Sequence, residues 1–147
     1  LWYSDRFNIN DYDLVIIPGG FSHGDYLRCG ALAAKTPVMK SVSEFAAKGK
    51  PVLGICNGFQ ILCEAKLLPG ILLQNKGLKF IDEITDLEFQ NPDLFFSKSF
   101  SKGSSIRLPI AHGEGQYYAP SEQLKKIQDN NQIWLTYKIN PNGSVLN

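Results

Sequence analysis

The chain has 147 residues, 44% of them hydrophobic, which suits one domain with a hydrophobic core. Its formal net charge is +1, with acidic and basic residues mixed along the chain, which excludes a surface built to attract nucleic acid or an anionic membrane. No apolar run approaches the roughly 20 residues that span a bilayer.

The cysteines indicate the cellular compartment. Three cysteines are an odd number, at irregular spacing and without C-x-x-C pairs, so the sequence predicts neither a disulfide framework nor a metal site. The predicted location is a reducing cytoplasm.

The first half of the chain alternates strand-like and helix-like segments. Residues 13–17 are an apolar, β-branched run that ends in Pro-Gly-Gly, which predicts a buried parallel strand and a tight turn, with a loop over 21–30. Residues 39–48 carry apolar side chains three and four apart, as an amphipathic helix does. A second strand is predicted at 52–55 and a second helix at 57–66. This order predicts parallel strands joined by a right-handed crossover.

The second half is less regular. We predict strands at 78–88, 104–111 and 133–138, with a loop over 89–102 that contains at most a short turn of helix. Residues 140–143, Asn-Pro-Asn-Gly, are a hairpin turn signal, and Val145-Leu146 resemble the opening of a further strand.

A cysteine stands at the corner between the second strand and the second helix. In KPVLGICNGFQILCEA, residues 50–65, Cys56 has Gly54 two residues before it and Gly58 two residues after it. The spacing follows the G-x-S-x-G nucleophile elbow, in which the corner residue has a strained backbone and the glycines remove side chains that would collide. The sulfur would lie at the carboxyl edge of the sheet and at a helix N-terminus, which favours the nucleophilic thiolate.

Backbone N–H groups could stabilise an oxyanion beside that sulfur. The N–H of Asn57 has no partner inside a helix that begins there. The turn at Gly19, Gly20 and Phe21 ends the other strand at the same sheet edge and would offer a second donor. A nucleophile and an oxyanion hole together indicate acyl transfer from an amide or ester.

Other polar residues of this region have a structural interpretation. For Cys29, among small residues, and Cys63, within the helix, burial is favoured, because cysteine is among the most commonly buried residues. His23 and Arg28 on the loop are typical of solvent-facing or locally hydrogen-bonded side chains. Gln60 lies one turn beyond the nucleophile on the same helix face.

These residues resemble a family. GICNGFQIL after KGKPV resembles the nucleophile segment of class I glutamine amidotransferases, whose core is G-x-C-x-G-x-Q. PGGFSHGDYLRCGA, with His23 where the family usually has tyrosine, resembles the glutaminase part of phosphoribosylformylglycinamidine synthases of purine biosynthesis, and LPIAHGEGQYYAP is similar to the same subgroup. The resemblance covers residues 1–147 as a single amidotransferase domain.

The resemblance implies a flavodoxin-like, three-layer α/β sandwich with a mostly parallel sheet. It implies that Cys56 attacks the side-chain amide of L-glutamine and that water hydrolyses the γ-glutamyl thioester. Oxyanion donors would lie around Gly20 and Phe21 and at Asn57, and Gln60 would line the substrate pocket. No cofactor or metal is implied in this domain. Ammonia would pass to a synthetase, separate or fused, which uses ATP and magnesium to convert formylglycinamide ribonucleotide to its amidine.

The proton-transfer residues are a separate question. His112 and Glu114 are two apart at a predicted strand end, on one face, and glutamine hydrolysis needs such a pair. The family, however, has its catalytic histidine and glutamate in a later H-P-E segment, expected beyond Asn147, and its first strand and helix ahead of Leu1. We therefore expect an incomplete copy of the domain with little activity of its own. His112 and Glu114 are then ancillary residues beside the glutamine site or the synthetase interface.

Two alternatives from other functional classes stay open. The chain could be a catalytically inactive amidotransferase-like domain that binds a partner, or another cysteine hydrolase or isomerase-like enzyme of similar fold, which would ignore glutamine analogues.

Overall fold

The computed structural model describes residues 1–143, so the predicted strand at Val145-Leu146 lies outside the described residues. The chain is mixed α/β, and its sheets include a two-stranded parallel sheet and a three-stranded antiparallel sheet. It divides into two compact units, Leu1–Leu72 and Leu73–Asn147. Among the described helices, none has both the length and the apolar composition of a membrane span.

Helices and strands alternate in the first unit. The elements in chain order are β1 (Val15–Ile17), a 3-10 turn (Ser22–Asp25), a second 3-10 turn (Ala33–Lys35), α1 (Pro37–Ala47), β2 (Val52–Gly54) and α2 (Asn57–Glu64). Strand β3 (Ile71–Leu73) lies where the two units join in sequence. The predicted βαβα order is confirmed, and α2 ends two residues earlier than predicted, just before Lys66, whose φ is 62°.

Strands β1 and β2 are parallel neighbours, with Val15 opposite Val52 and Ile17 opposite Gly54. The two strands therefore end at the same edge, as predicted, but the prediction that β1 is buried is wrong, because Ile16 is 52% exposed and Val15 and Ile17 are half-buried. Both helices bury an apolar stripe, because their large apolar side chains recur three and four residues apart. The core of the unit consists of Ala33 of the second 3-10 turn, Met39 and Val42 of α1, and Ile61 and Leu62 of α2.

The predicted loop over 21–30 is confirmed, and it contains the first 3-10 turn. Its backbone is unusual, because His23, Asp25 and Leu27 all have φ between 53° and 63°. Two large side chains of the loop, Tyr26 and Leu27, are each 75% exposed.

The second unit contains β4 (Ile81–Phe89), β5 (Ser105–His112), β6 (Gln116–Tyr118), α3 (Ser121–Asp129) and β7 (Leu135–Tyr137). Strand β4 pairs antiparallel with β5 on one side and β7 on the other. One face of β4 is buried through Thr85, Leu87 and Phe89, which alternate with exposed or half-buried residues. The three strands predicted for this half are confirmed, with ends shifted by one to three residues. Residues 90–104 contain no regular element, as predicted.

Two strands and one α-helix were not predicted. Strands β3 and β6 have three residues each, which is too short for a period-two pattern to stand out. Helix α3 has only two large apolar side chains, Leu124 and Ile127, and neither is fully buried, so its apolar stripe is too short to stand out in the sequence. The predicted turn at 140–143 is present, with the Gly143 N–H donating to the Asn140 carbonyl at 2.9 Å.

Candidate active site

Cys56 occupies the corner between β2 and α2. It is the residue before the first helical residue, and its backbone angles are φ 52° and ψ −111°. Positive φ is a strained conformation for a residue with a Cβ. The expected strained corner is therefore present, and the side chain of Cys56 is exposed there.

The glycines on both sides of the corner are sterically required. A Cβ at Gly54 would lie 2.6 Å from Cδ1 of Leu62 and 2.7 Å from the Gly58 carbonyl oxygen. A Cβ at Gly58 would collide with the backbone carbonyl of Ile17 on β1. The glycines therefore let α2 pack directly against both strands, which confirms the predicted reason for the G-x-C-x-G spacing.

The turn after β1 lies beside Cys56. A Cβ built on Gly19 would be 3.2 Å from Cβ of Cys56 and 3.9 Å from its Sγ. Gly20 has φ +142°, a conformation that side-chain-bearing residues rarely adopt, so glycine is needed there as well. The next residue, Phe21, is 70% exposed. The structure thus brings Gly19, Gly20 and Phe21 to the same corner as the cysteine.

The expected backbone donors are available at this corner. Within residues 1–143, the N–H groups of Gly20, Phe21 and Asn57 donate to no protein acceptor. An exposed thiol next to unused N–H groups can attack a carbonyl carbon while the N–H groups stabilise the oxyanion that forms. This is the chemistry that the sequence predicts for the site.

Asn57 and Gln60 are both buried in the first turn of α2, with exposures of 2% and 8%. The Asn57 side-chain amide donates from Nδ2 to Oε1 of Gln60 at 2.8 Å, and its Oδ1 accepts the backbone N–H of Ser22 at 3.3 Å. Gln60 is therefore neither solvent-facing nor part of an apolar core. It belongs to a polar network that begins in the turn after β1.

The other two cysteines differ from Cys56 in burial. Cys63 is completely buried, and burial raises the pKa of its thiol to about 12. Cys29 is half-buried in the loop. The structural interpretation of Cys63 fits this environment, because a buried thiol with a high pKa is a poor nucleophile at neutral pH.

His112 and Glu114 belong to the second unit. His112 Nδ1 lies 2.9 Å from Oδ1 of Asn75, which requires the ring to donate a proton there, and its Nε2 is buried without a partner among the described residues. Burial lowers the pKa of the His112 ring. The structure differs from the prediction in one respect: β5 ends at His112 and Glu114 lies in a bend, so strand alternation does not place the two on one face.

Asn75 is a buried polar residue of the second unit that no sequence motif indicates. It is 1% exposed, and its Nδ2 donates to the carbonyls of Lys79 and His112 at 2.8 Å each. Its Oδ1 also accepts the Gly115 N–H at 3.0 Å. Asn75 thereby fixes the segment that carries His112 and Glu114. The only signal in the sequence is an asparagine just ahead of a Lys-Gly turn, which is too common to single it out.

Arg28 has a specific partner. Its Nε and Nη2 donate to the two oxygens of Glu64 at 2.7 and 2.9 Å, and this hydrogen bonding lowers the pKa of Glu64. His23 packs edge-on against Tyr3, with ring centroids 5.7 Å apart. Across residues 1–143, no group of three His, Cys, Asp or Glu side chains is placed to hold a metal ion.

Known proteins resemble the chain over almost its whole length. A family model described as a CobB/CobQ-like glutamine amidotransferase domain matches residues 2–147. A solved structure described as that of PurLQS from Thermotoga maritima is similar, with 44% sequence identity and a TM-score of 0.83. The similarity covers 95% of this chain and 61% of that one, so the chain spans about three fifths of the length of its solved relative.

Proposed function

Since the chain belongs to the CobB/CobQ-like glutamine amidotransferase family, we propose that it is the glutaminase part of a phosphoribosylformylglycinamidine synthase. The similarity to PurLQS supports this choice within the family. The string PGGFSHGDYLRCGA, which resembles the same subgroup, supports it independently of any overall similarity.

The observation that carries the proposal is the corner at Cys56. Cys56 is exposed, has φ 52°, and lies between two glycines that are sterically required. A packing role alone does not explain why a residue would be kept in such a strained conformation. The unused N–H groups of Gly20, Phe21 and Asn57 supply what the attack on an amide needs.

The proposed reaction has two stages. The thiolate of Cys56 forms a bond to the side-chain amide carbon of L-glutamine, and the carbonyl electrons move to the oxygen, which accepts hydrogen bonds from the backbone donors. The C–N bond then breaks, the nitrogen takes a proton and leaves as ammonia, and a γ-glutamyl thioester remains. Water attacks the thioester carbon, the C–S bond breaks, and glutamate is released.

Two proton transfers accompany these stages, one to the leaving nitrogen and one from the attacking water. The proposal assigns them to a histidine and a glutamate that the family resemblance implies beyond Asn147. His112 and Glu114 are ancillary residues in this scheme. Gln60 lines the pocket that holds the amino-acid end of glutamine.

The proposal also covers the complete fold, the partner synthetase and the cellular location. The fold is a flavodoxin-like three-layer sandwich, of which the chain is an incomplete single domain. A synthetase subunit or fused domain receives the ammonia and uses ATP and magnesium to amidate formylglycinamide ribonucleotide. The enzyme works in the cytoplasm, where a reducing environment keeps the exposed Cys56 thiol unoxidised.

The decisive experiment compares two nitrogen sources in the complete protein with its synthetase. We expect Cys56→Ala to abolish glutamine-dependent amidation of formylglycinamide ribonucleotide and to preserve amidation with ammonium chloride. Cys29→Ala serves as the matched control and should retain both activities.

Three results would contradict parts of the proposal. If the Cys56→Ala complex is well folded and loses both activities, Cys56 does not have an ammonia-releasing role. If the wild-type complex hydrolyses no glutamine, the chain is an inactive partner-binding domain. If Cys56 reacts with other acyl substrates and ignores glutamine analogues, the chain is a different cysteine hydrolase.

A further inference from the structure

We propose that the side chain of Asn57 is a positioning residue, which holds the turn after β1 and the first turn of α2 at a fixed spacing and sets the orientation of Gln60. This inference rests on the proposed function and concerns how its two groups of oxyanion donors are kept together. It is distinct from the role of the Asn57 backbone N–H, which any residue except proline would supply.

The contacts of Asn57 bridge two separate parts of the chain. Its Oδ1 accepts the Ser22 N–H at 3.3 Å, a contact between residues 35 positions apart in the sequence. Its Nδ2 donates to Gln60 Oε1 at 2.8 Å, and the Asn57 side chain is 2% exposed. The side-chain amide of Asn57 is thus buried, and both its oxygen and its nitrogen make hydrogen bonds.

The direction of this network is fixed by chemistry. A backbone N–H can only donate, so the end of Asn57 that faces Ser22 must be its oxygen. The NH₂ end of Asn57 must then face Gln60, and Gln60 must present its own oxygen in return. The conformation of the turn after β1 therefore dictates which way round the Gln60 amide lies.

The turn needs such a restraint, because its backbone conformation is costly. His23, the residue after Ser22, has φ 54°, a strained conformation for a residue with a Cβ. Strained conformations persist only where surrounding contacts hold them. The Ser22 N–H is immediately next in sequence to Phe21, so the contact with Asn57 restrains the candidate oxyanion donor beside it.

The spacing matters because the two donor groups lie on different segments. Asn57 supplies one N–H from α2, and Gly20 and Phe21 supply the others from the turn after β1. A displacement of about 1 Å between groups that act together can cost about 10²-fold in rate. Loss of the Asn57 side chain would let the turn shift while the thiol itself stays in place.

Two variants separate the two halves of this role, and both keep the backbone N–H at position 57. Asn57→Ala removes both contacts. Asn57→Asp is isosteric and still accepts the Ser22 N–H, but its ionised carboxylate presents a second oxygen to Gln60 and forces that amide to reverse. Asn10→Asp, at an exposed position ahead of β1, is the control for the same chemical change.

The measurements are the steady-state kcat and KM for glutamine hydrolysis in the complete enzyme, and the rate of Cys56 alkylation by iodoacetamide. Alkylation displaces iodide and forms no oxyanion, so it reports the thiol alone. For Asn57→Ala we expect kcat to fall about 10- to 100-fold while the alkylation rate stays within about twofold of wild type. For Asn57→Asp we expect the larger change in KM, an increase of about tenfold, because Gln60 is reversed.

Several outcomes would overturn the inference. One is an Asn57→Ala enzyme with wild-type kcat, and another is a parallel loss of kcat and alkylation rate, which would mean that the side chain only supports folding. If Asn57→Ala does not fold, the test rests on Asn57→Asp. An unchanged KM for glutamine in that variant would refute the positioning role of the Asn57 side chain.

The wild-type enzyme distinguishes this failure from a failure of the proposed function. If wild type hydrolyses glutamine and the variants behave like Asn10→Asp, only the positioning role is wrong. If the wild-type enzyme is alkylated at Cys56 but releases no glutamate from glutamine, the proposed function is wrong and the positioning role is overturned with it.

Discussion

Arg28 and Glu64 form a two-point ion pair that joins the end of the loop after β1 to the end of α2, with contacts of 2.7 and 2.9 Å. The Glu64 side chain is only 10% exposed, so the pair is partly shielded from water. Beside it, a Cβ on Gly30 would lie 2.8 Å from the backbone nitrogen of Ile61. The loop is therefore fixed on α2 at its far end, as it is fixed through Asn57 at its beginning.

Glu64→Gln should destabilise the protein in a pH-dependent way. The hydrogen bond from Arg28 lowers the pKa of Glu64, so the folded state binds this proton less readily than the unfolded state. The stabilisation is complete above the ordinary glutamate pKa and is lost as the pH falls through the lower folded value. We expect a loss of about 1 kcal/mol in the free energy of unfolding at pH 7. The loss should shrink below about pH 4 in urea titrations.

The matched control for this prediction is Glu44→Gln. Glu44 also pairs with an arginine, Arg6, at 2.9 Å, but both side chains are more than half exposed. Exposed pairs contribute little, so this variant should differ from wild type by less than about 0.5 kcal/mol. Equal losses in the two variants would show that the burial of Glu64 has no energetic consequence.

Gly58→Ala should prevent normal folding of the first unit. The added methyl group would collide with the backbone of Ile17, which cannot move aside as a flexible side chain can. We expect a loss of about 3 kcal/mol or more, at or above the upper end of ordinary overpacking. Gly77→Ala is the control, since a Cβ at Gly77 would meet no atom within 4 Å. Circular dichroism during urea unfolding compares the two, and a fully stable Gly58→Ala protein would refute the close packing of α2 against β1.

The three thiols should react with iodoacetamide in a fixed order, Cys56 first and Cys63 last. Cys56 is exposed, Cys29 is half-buried, and Cys63 is buried with a pKa raised to about 12. Peptide mapping after brief, substoichiometric labelling at neutral pH measures the order, and labelling in urea provides the unfolded reference. If Cys29 or Cys63 carries most of the label in folded protein, Cys56 is not the nucleophile.

The parts of the candidate site that could be predicted from the sequence are those set by steric contacts among residues close to Cys56. The glycines at positions 54 and 58 indicate a crowded corner at Cys56, and two runs of parallel-strand character bring the Gly19–Gly20 turn to the same edge. The steric reason for these glycines depends only on residues close in sequence or on neighbouring strands, so it can be inferred from the sequence.

The parts that could not be predicted depend on long-range pairing of polar side chains. Nothing in the sequence links Ser22 to Asn57, Arg28 to Glu64, or Asn75 to His112, because each pair is separated by 35 to 37 positions. Hydrogen bonds of this kind follow from the folded geometry and leave no periodic pattern. The short strands β3 and β6 and helix α3 could not be predicted for a related reason, because each contains too few apolar residues for a pattern to stand out.

His112 should make the protein less stable in mild acid. Burial lowers the pKa of its ring, although Glu83 acts in the opposite direction, so the unfolded chain accepts a proton at a higher pH than the folded protein does. The free energy of unfolding should therefore fall as the pH decreases from about 6.5 towards the folded pKa. Urea titrations between pH 7.5 and pH 5.5 test this, with His112→Gln as the comparison. An equally steep dependence in His112→Gln would assign the effect to another group.

The backbone at Cys56 also has a consequence for heat resistance. Its φ of 52° costs a residue with a Cβ about 1–3 kcal/mol, whereas glycine adopts positive φ readily. We expect Cys56→Gly to melt at a higher temperature than Cys56→Ala, even though both lack the thiol. A library of variants selected only for survival on heating should therefore lose the cysteine at this position. Directed evolution of a more thermostable form therefore has to select for glutamine turnover in every round, because selection for stability alone favours variants that lack the nucleophile.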